Sequence, residues 1–229
     1  MINIVLRLGY RIIKAVLKKF NLIPCNVMRG LNKERKKFVF EHGVEYIRAS
    51  SLELIANEIY DKNILGNVAE LGVYRGDFAE IINKAFPDKK IYLFDTFEGF
   101  DERDKRTELG NNFSTVNQDF TQTSVELVLA KMERKENCII KKGFFPETAE
   151  GINDTFSFVS IDCDLYEPII KGLHFFYEKL NSGGYIMLHD YNNKNYNGAK
   201  AALRKFCEEK KVSYFPICDA WGSAIIMKP

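Results

Sequence analysis

The sequence predicts an open α/β sheet of about seven strands with helices packed on both faces, a doubly wound fold. Three observations carry that prediction. Short apolar runs alternate with helical patterns from residue 67 onward. Each repeating unit holds one strand-like run rich in apolar residues, as strands buried on both faces do. The last two runs are joined by the short link Cys218–Gly222, which has no room for a helix, so they form an antiparallel hairpin at a sheet edge.

The elements follow in order. Met1 to Phe20 is apolar and basic, with Arg7, Arg11, Lys14 and Lys18 recurring at helical spacing. Such a stripe suits a helix lying on an anionic membrane surface, covering a partner subunit in a homo-oligomer, or packing on its own domain with a solvated basic edge. Asn32 to Ile64 also reads as helix, and Ser50 or Ser51 is expected to cap a second helix there, with Glu53 early in its first turn. Residues 1–60 are therefore expected to be a helical extension ahead of a main domain over residues 61–229. The expected strands are Asn67–Leu71, Lys90–Asp95, Cys138–Lys142, Phe156–Asp162, Gly184–His189, Val212–Ile217 and Ser223–Met227. Helices are expected at Phe78–Ala85, Ser124–Lys135, Pro168–Leu180 and Gly198–Lys210.

Composition narrows the class. A chain of 229 residues suffices for one domain with a large core, and 46% hydrophobic residues is ordinary for a globular protein. The net charge is +2, from 33 basic and 31 acidic residues, which speaks against a nucleic-acid binder with a global positive field. Five cysteines, at 25, 138, 163, 207 and 218, make no C-x-x-C pair. Neither a zinc site nor a disulfide framework is expected, and a reducing, cytoplasmic setting follows. No apolar run is long enough to span a bilayer, and the N-terminus lacks a small-residue cleavage site.

In an open α/β sheet, ligands bind at the carboxyl ends of the strands. The first strand ends in Glu70-Leu71-Gly72-Val73-Tyr74-Arg75-Gly76. A dinucleotide-binding loop would need a further glycine where Glu70 stands. A carboxylate there repels phosphate and suits a cation such as the amino or sulfonium group of S-adenosylmethionine. The second strand ends in Asp95 followed by Thr96, an acidic residue placed to accept from ribose hydroxyls. The third is closed by Gly143 and Phe144, where Phe144 either packs on an adenine or joins the core. The fourth ends in Asp162-Cys163-Asp164 and the fifth in His189-Asp190. These two strands are expected side by side, so that Asp162, His189 and Asp190 converge as ligands for a divalent cation acting as a Lewis acid. Asp164 is the member of this group most readily read as a helix cap.

Together these strings resemble one family. Glu70–Gly76, Asp95-Thr-Phe-Glu98-Gly99-Phe, Asp162-Cys-Asp-Leu-Tyr-Glu167-Pro and Ser182-Gly-Gly-Tyr-Ile-Met-Leu-His189-Asp190-Tyr191 are similar to the macrocin O-methyltransferase family, from about Gly66 to Trp221. The resemblance implies a class I, Rossmann-like methyltransferase fold and methyl transfer from S-adenosylmethionine to a sugar or glycan hydroxyl. Surface-polysaccharide or natural-product biosynthesis is the expected setting. It also implies magnesium on Asp162 and on a pair of aspartates at positions 189 and 190. His189 stands where the first of that pair would be, which also admits manganese or zinc, a role as base, or a site without metal. Cofactor contacts are expected from Glu70, Leu71, Gly72, Tyr74, Arg75, Gly76, Asp95, Thr96, Gly143, Phe144 and Asp162. Asp162 is expected as ligand and general base, with His189 as the rival base. Peripheral attachment to the inner membrane surface, through the basic stripe, stays open.

Glu98–Thr123 reads as a long polar loop and is expected to form a lid over the acceptor. Two other readings of the chain are a nucleotide-dependent oxidoreductase on a related fold and a binding domain without chemistry. A small phenolic acceptor in place of a sugar is compatible with the same site.

Overall fold

The computed structural model describes residues 45–229 and, ahead of them, Ile13, Val16, Leu17 and Lys19, all helical. The chain divides into two compact units, Met1–Lys37 and Phe38–Pro229. Arg7, Arg11, Lys14 and Lys18, and the helical reading of residues 32–44, lie outside the described residues. Among the described residues no helix is long and apolar enough to cross a membrane.

Helices are numbered from the first described one, α1 at Tyr46–Asp61. It is a single helix through Ser50 and Ser51, and the cap expected there does not form. Ser50 Oγ instead donates to the Tyr46 carbonyl one turn back at 2.6 Å. The reason is tertiary. Ala49, Leu52, Ile55, Ala56 and Ile59 make one buried stripe across the expected break, and its burial outweighs the local preference of serine for a cap.

The alternation then runs β1 (Asn67–Leu71), α2 (Asp77–Ala85), β2 (Ile91–Asp95), α3 (Glu102–Gly110), α4 (Val125–Lys131), β3 (Cys138–Lys142), β4 (Phe156–Ile161), α5 (Tyr166–Lys179), β5 (Leu180–Leu188), α6 (Asn197–Lys210), β6 (Phe215–Ile217) and β7 (Ser223–Met227). The seven strands form one sheet in the order β3-β2-β1-β4-β5-β7-β6. The first five are parallel, and β7 runs antiparallel to both β5 and β6. The hairpin expected from the short link is thus present, with β6 at the edge. That edge strand is shorter than its apolar run suggests, because Lys211 ends α6 in a left-handed turn and pairing begins only at Phe215. Pro216 lacks an N–H to donate, which an edge strand tolerates.

Two further expectations are revised. The segment 98–123 is not a structureless loop, since it contains α3, capped by Asp101 accepting from the Arg103 N–H at 2.9 Å. The helix expected at Ser124–Lys135 stops at Lys131, where Met132 turns to an extended conformation. β4 is buried at every position, as a central parallel strand should be. Its Phe156 meets Phe176 of α5 edge-on, and Phe176 in turn meets Phe94 and Phe145, in one cluster of edge-on and stacked rings.

Candidate active site

Register builds the site. β1 lies between β2 and β4, at the point where the strand order reverses. Leu71 pairs with Phe94 on one side and Ile161 on the other, and Ile161 pairs with Leu188. The residues just past these strand ends are then tied in sequence by backbone hydrogen bonds. Gly143 N–H donates to Asp95, Gly72 to Phe94, Asp162 to Leu71 and His189 to Ile161, at 2.8–2.9 Å. Five strand ends therefore open on one cavity of about 410 Å³. Glu70, Leu71, Gly72, Tyr74, Arg75, Asp95, Thr96, Gly143, Phe144, Asp162, His189 and Asp190 all line it. Gly76 does not, and serves instead as the N-cap of α2.

Gly72 is required by its backbone. Its φ is +87°, and a Cβ would lie 2.1 Å from the Asp162 carbonyl oxygen. The turn after β1 can pass over β4 only without a side chain there. The Asp95 carboxylate holds the same turn. Oδ2 accepts from the Val73 and Tyr74 N–H groups at 2.8 Å each, and Oδ1 from Phe97 N–H at 2.7 Å. Three of about four acceptor positions are thus filled by backbone. Thr96 Oγ1 donates to the Gly99 carbonyl at 2.6 Å and makes only a long contact, 3.5 Å, with Asp95 Oδ1.

Glu70 is 1% exposed, and its Oε2 has no hydrogen-bond partner among the described residues. Burial pushes its carboxyl well up, and Arg48 opposes that shift. Phe144 stays out of the core. The Arg103 guanidinium lies 3.4 Å over its ring, while the neighbouring Phe145 is the buried one.

Asp162, His189 and Asp190 do converge. His189 Nδ1 is 3.0 Å from Asp162 Oδ1 and 2.9 Å from Asp190 Oδ2. The other Asp162 oxygen receives Arg48 Nη2 at 2.8 Å. Burial by itself raises the Asp162 pKa, but Arg48 and His189 outweigh it and hold the carboxyl well below the usual range. Burial lowers the His189 pKa, and the two carboxylates outweigh that and raise it.

Arg48 is a site residue that motif reading misses, because it lies outside every strand end. It sits on the stripe it shares with Leu52, Ile55 and Ile59, and a basic residue in a buried stripe was the available signal. Its guanidinium rests 3.8 Å over the Phe78 ring. Asp164 is another. It does not cap α5, whose Tyr166 N–H is taken by Glu108 from α3 at 2.9 Å. Asp164 instead lines the cavity in a left-handed conformation, φ 58°. Burial and the carboxyls of Asp190 and Asp162 push its own carboxyl well up. Segment 98–123 contributes Phe100, Gln118 and Phe120 to the cavity wall.

The model of the macrocin O-methyltransferase (TylF) family matches residues 43–223, a span that includes every strand end around this cavity. The chain belongs to that family. A curated relative from Streptomyces olivaceus, 8-demethyl-8-(2,3-dimethoxy-alpha-L-rhamnosyl)-tetracenomycin-C 4'-O-methyltransferase, is 24% identical over 163 residues, covering 63% of this chain. The chain spans 60% of that relative's length. Among solved structures, the O-methyltransferase NovP superposes with a TM-score of 0.64 at 18% identity, over 81% of each chain. The calicheamicin methyltransferase CalS11 does so with 0.63 at 16% identity, over 90% of this chain and 94% of its own. At these identities the two structures establish the fold, a class I O-methyltransferase sheet with its antiparallel C-terminal hairpin.

Proposed function

We propose that this macrocin O-methyltransferase family member transfers a methyl group from S-adenosylmethionine to a hydroxyl of a sugar or glycan. The observation that carries the reading is the pairing of a nucleoside-sized cleft, bounded by Glu70, Gly72 and Asp95, with the Asp162–His189–Asp190 group in one cavity. The name of the rhamnosyl O-methyltransferase relative supports a sugar as acceptor. Natural-product or surface-polysaccharide biosynthesis is the setting that fits.

The residues fit the cofactor. Glu70 is a buried carboxylate with an unfilled oxygen, suited to the ammonium of the methionine end. Asp95 keeps one acceptor position for a ribose hydroxyl, and Gly72 lets the chain approach without a Cβ. When bound, S-adenosylmethionine supplies an electrophilic methyl on a sulfonium.

The acidic group also fits a divalent cation. Donors placed about 2.1 Å from an octahedral ion lie about 3 Å apart along its edges; His189 Nδ1 stands 3.0 Å from Asp162 Oδ1 and 2.9 Å from Asp190 Oδ2, contacts that a bound ion would replace. Asp162, His189 and Asp190 would hold the ion, which would lend Lewis acidity to the acceptor hydroxyl. The mixed nitrogen and oxygen set suits manganese as well as magnesium. A second trio, Glu45, His189 and Asp219, also lies within 4.8 Å. Its carboxylates hold the turn before β7 through the Ala220 and Ser223 N–H groups, so binding there would undo backbone hydrogen bonds, whereas in the first trio only side-chain contacts would be exchanged.

Proton transfer falls to the carboxylates of the same wall. Both oxygens of Asp162 are bound, by Arg48 and His189, which suits Asp162 and His189 to holding and orienting. Asp164 lines the cavity without an ion-pair partner among the described residues and shares a hydrogen bond with Asp190; we assign it, once ionised, the acceptor's proton, since its raised carboxyl makes the ionised form a strong base. Gathering and aligning the two substrates supplies most of the remaining rate gain.

The test is labelled methyl transfer from S-adenosylmethionine to a panel of rhamnose derivatives and catechol. Labelled product from a rhamnose derivative supports the reading. Transfer to catechol alone replaces the sugar by a phenol, and no binding of S-adenosylmethionine by calorimetry overturns it.

A further inference from the structure

The chain contains one tryptophan, Trp221, in the link between β6 and β7. It is 49% exposed and lines the cavity. A single exposed aromatic is ordinary on a protein surface, but this one is carried on a turn fixed from three sides. Glu45 accepts the Ala220 N–H with both carboxylate oxygens at 2.9 Å. Asp219 accepts the Ser223 N–H at 2.6 Å and also its hydroxyl. Asn192 N–H is shared between the Trp221 and Gly222 carbonyls at 3.2 Å. Gly222 has φ +72°, and Asn192 stands 2.7 Å from where its Cβ would be. The turn is therefore locked against the segment that leaves His189 and Asp190.

The same cavity is lined by Asn193, Asn195 and Gln118, three carboxamide side chains. Asn193 Nδ2 donates to Asp190 Oδ1 at 2.8 Å and its Oδ1 accepts the Asn195 N–H at 3.0 Å, which leaves one Nδ2 hydrogen to donate; Gln118 Oε1 accepts from the Tyr196 hydroxyl at 2.8 Å. The Gln118 amide N–H groups remain to donate. Carboxamides offer donors and acceptors without charge. An indole offers a broad apolar face with negative π density. A pyranose is the complement of that pair: one face of polarised C–H groups, with hydroxyls around its rim. A planar phenol would use the indole and leave most of the carboxamides without a partner.

We infer that Trp221 is the platform on which the acceptor pyranose lies, with Asn193, Asn195 and Gln118 reading its hydroxyls beside Asp190. The inference rests on the sugar reading above and names the specificity residue of that site. Trp221 contributes binding that is equal in the ground and transition states, so its loss acts on KM and not on kcat.

Being the sole tryptophan, Trp221 reports on its own occupancy. Enzyme saturated with S-adenosylhomocysteine is titrated with methyl α-L-rhamnopyranoside and with thymidine-diphosphate rhamnose, and indole emission is followed. A saturable shift in emission with at least one of them is expected. In labelled methyl transfer to that acceptor, Trp221→Ala should raise KM about 10-fold with kcat within about 3-fold, while Trp221→Phe should hold KM within about 3-fold. Calorimetry with S-adenosylhomocysteine should give the same affinity in all three proteins, which shows that they are folded. If wild type methylates a rhamnose derivative while emission and the Trp221→Ala KM are unchanged, the platform is wrong and the sugar reading stands. If only catechol is methylated, or neither rhamnose derivative, both fall together.

Discussion

Arg48 Nη2 lies 2.8 Å from Asp162 Oδ2, joining α1 to the end of β4 across 114 residues of sequence. Both partners are largely withdrawn from water, with side-chain exposures of 8% and 22%. Removing one member of such a pair leaves the other charge uncompensated. Arg48→Met should destabilise the domain by about 3 kcal/mol, read by urea denaturation. Arg48→Lys should recover only part of that, because an ammonium cannot keep the planar contact with Phe78. Unchanged stability in Arg48→Met would mean that the pair contributes nothing beyond geometry.

Asp95 serves both the loop after β1 and the proposed ribose site. Asp95→Ala should lower S-adenosylmethionine affinity by about 1–3 kcal/mol in calorimetry, the range for a hydrogen bond to a charged group. The Val73 and Tyr74 N–H groups lose their acceptor at the same time, so a drop in melting temperature should accompany it. A folded variant with full affinity removes Asp95 from the cofactor site.

Gly72→Ala tests the close approach of the turn after β1 to the backbone just past β4. The new Cβ meets backbone at 2.1 Å, and no side chain can move aside to relieve it. The variant is expected to be insoluble, or destabilised by more than about 3 kcal/mol, by thermal melting. Wild-type stability would show that the turn can shift.

Asp104 supplies a pH signature. Burial pushes its carboxyl up to about 7, against an opposing effect of Lys171. An unfolded aspartate titrates near about 3.9. Between these values the folded chain holds a proton that the unfolded chain releases, so Asp104 makes stability fall as pH rises from about 4 to about 7. Asp104→Asn stays neutral throughout. Its stability relative to wild type should therefore increase across that window and level off above it, measured by denaturation midpoints at a series of pH values. A constant difference between the two proteins would refute the raised value.

Metal binding separates the roles of the acidic residues. Titration calorimetry with Mn²⁺ should show one site in wild type, lost in Asp162→Asn and in Asp190→Asn. Asp164→Asn should keep it, and should abolish turnover while S-adenosylmethionine still binds. Retention of Mn²⁺ by Asp162→Asn would detach the ion from this crevice.

The sequence by itself determined the order of the strands, the sheet class and the strand ends that carry the chemistry. It could do so because buried parallel strands are short apolar runs, and because a ligand site in an open sheet lies where those runs stop. β1, β3 and β7 begin and end at the residues their patterns suggest. Glu70, Asp95, Asp162, His189 and Asp190 are legible for the same reason, each standing at or next to a strand end. Tertiary structure decided what those side chains touch. Ser50 and Ser51 lose their cap to a buried stripe whose partners are remote in sequence. Asp164 yields the start of α5 to Glu108, 58 residues away from the N–H it accepts. Arg48 meets Asp162, and Trp221 reaches the cavity on a turn locked by Glu45 and Asn192. Each of these is a pairing between elements far apart in the chain. Local propensity has no term for such pairings, because their energy exists only once the sheet has brought the partners together.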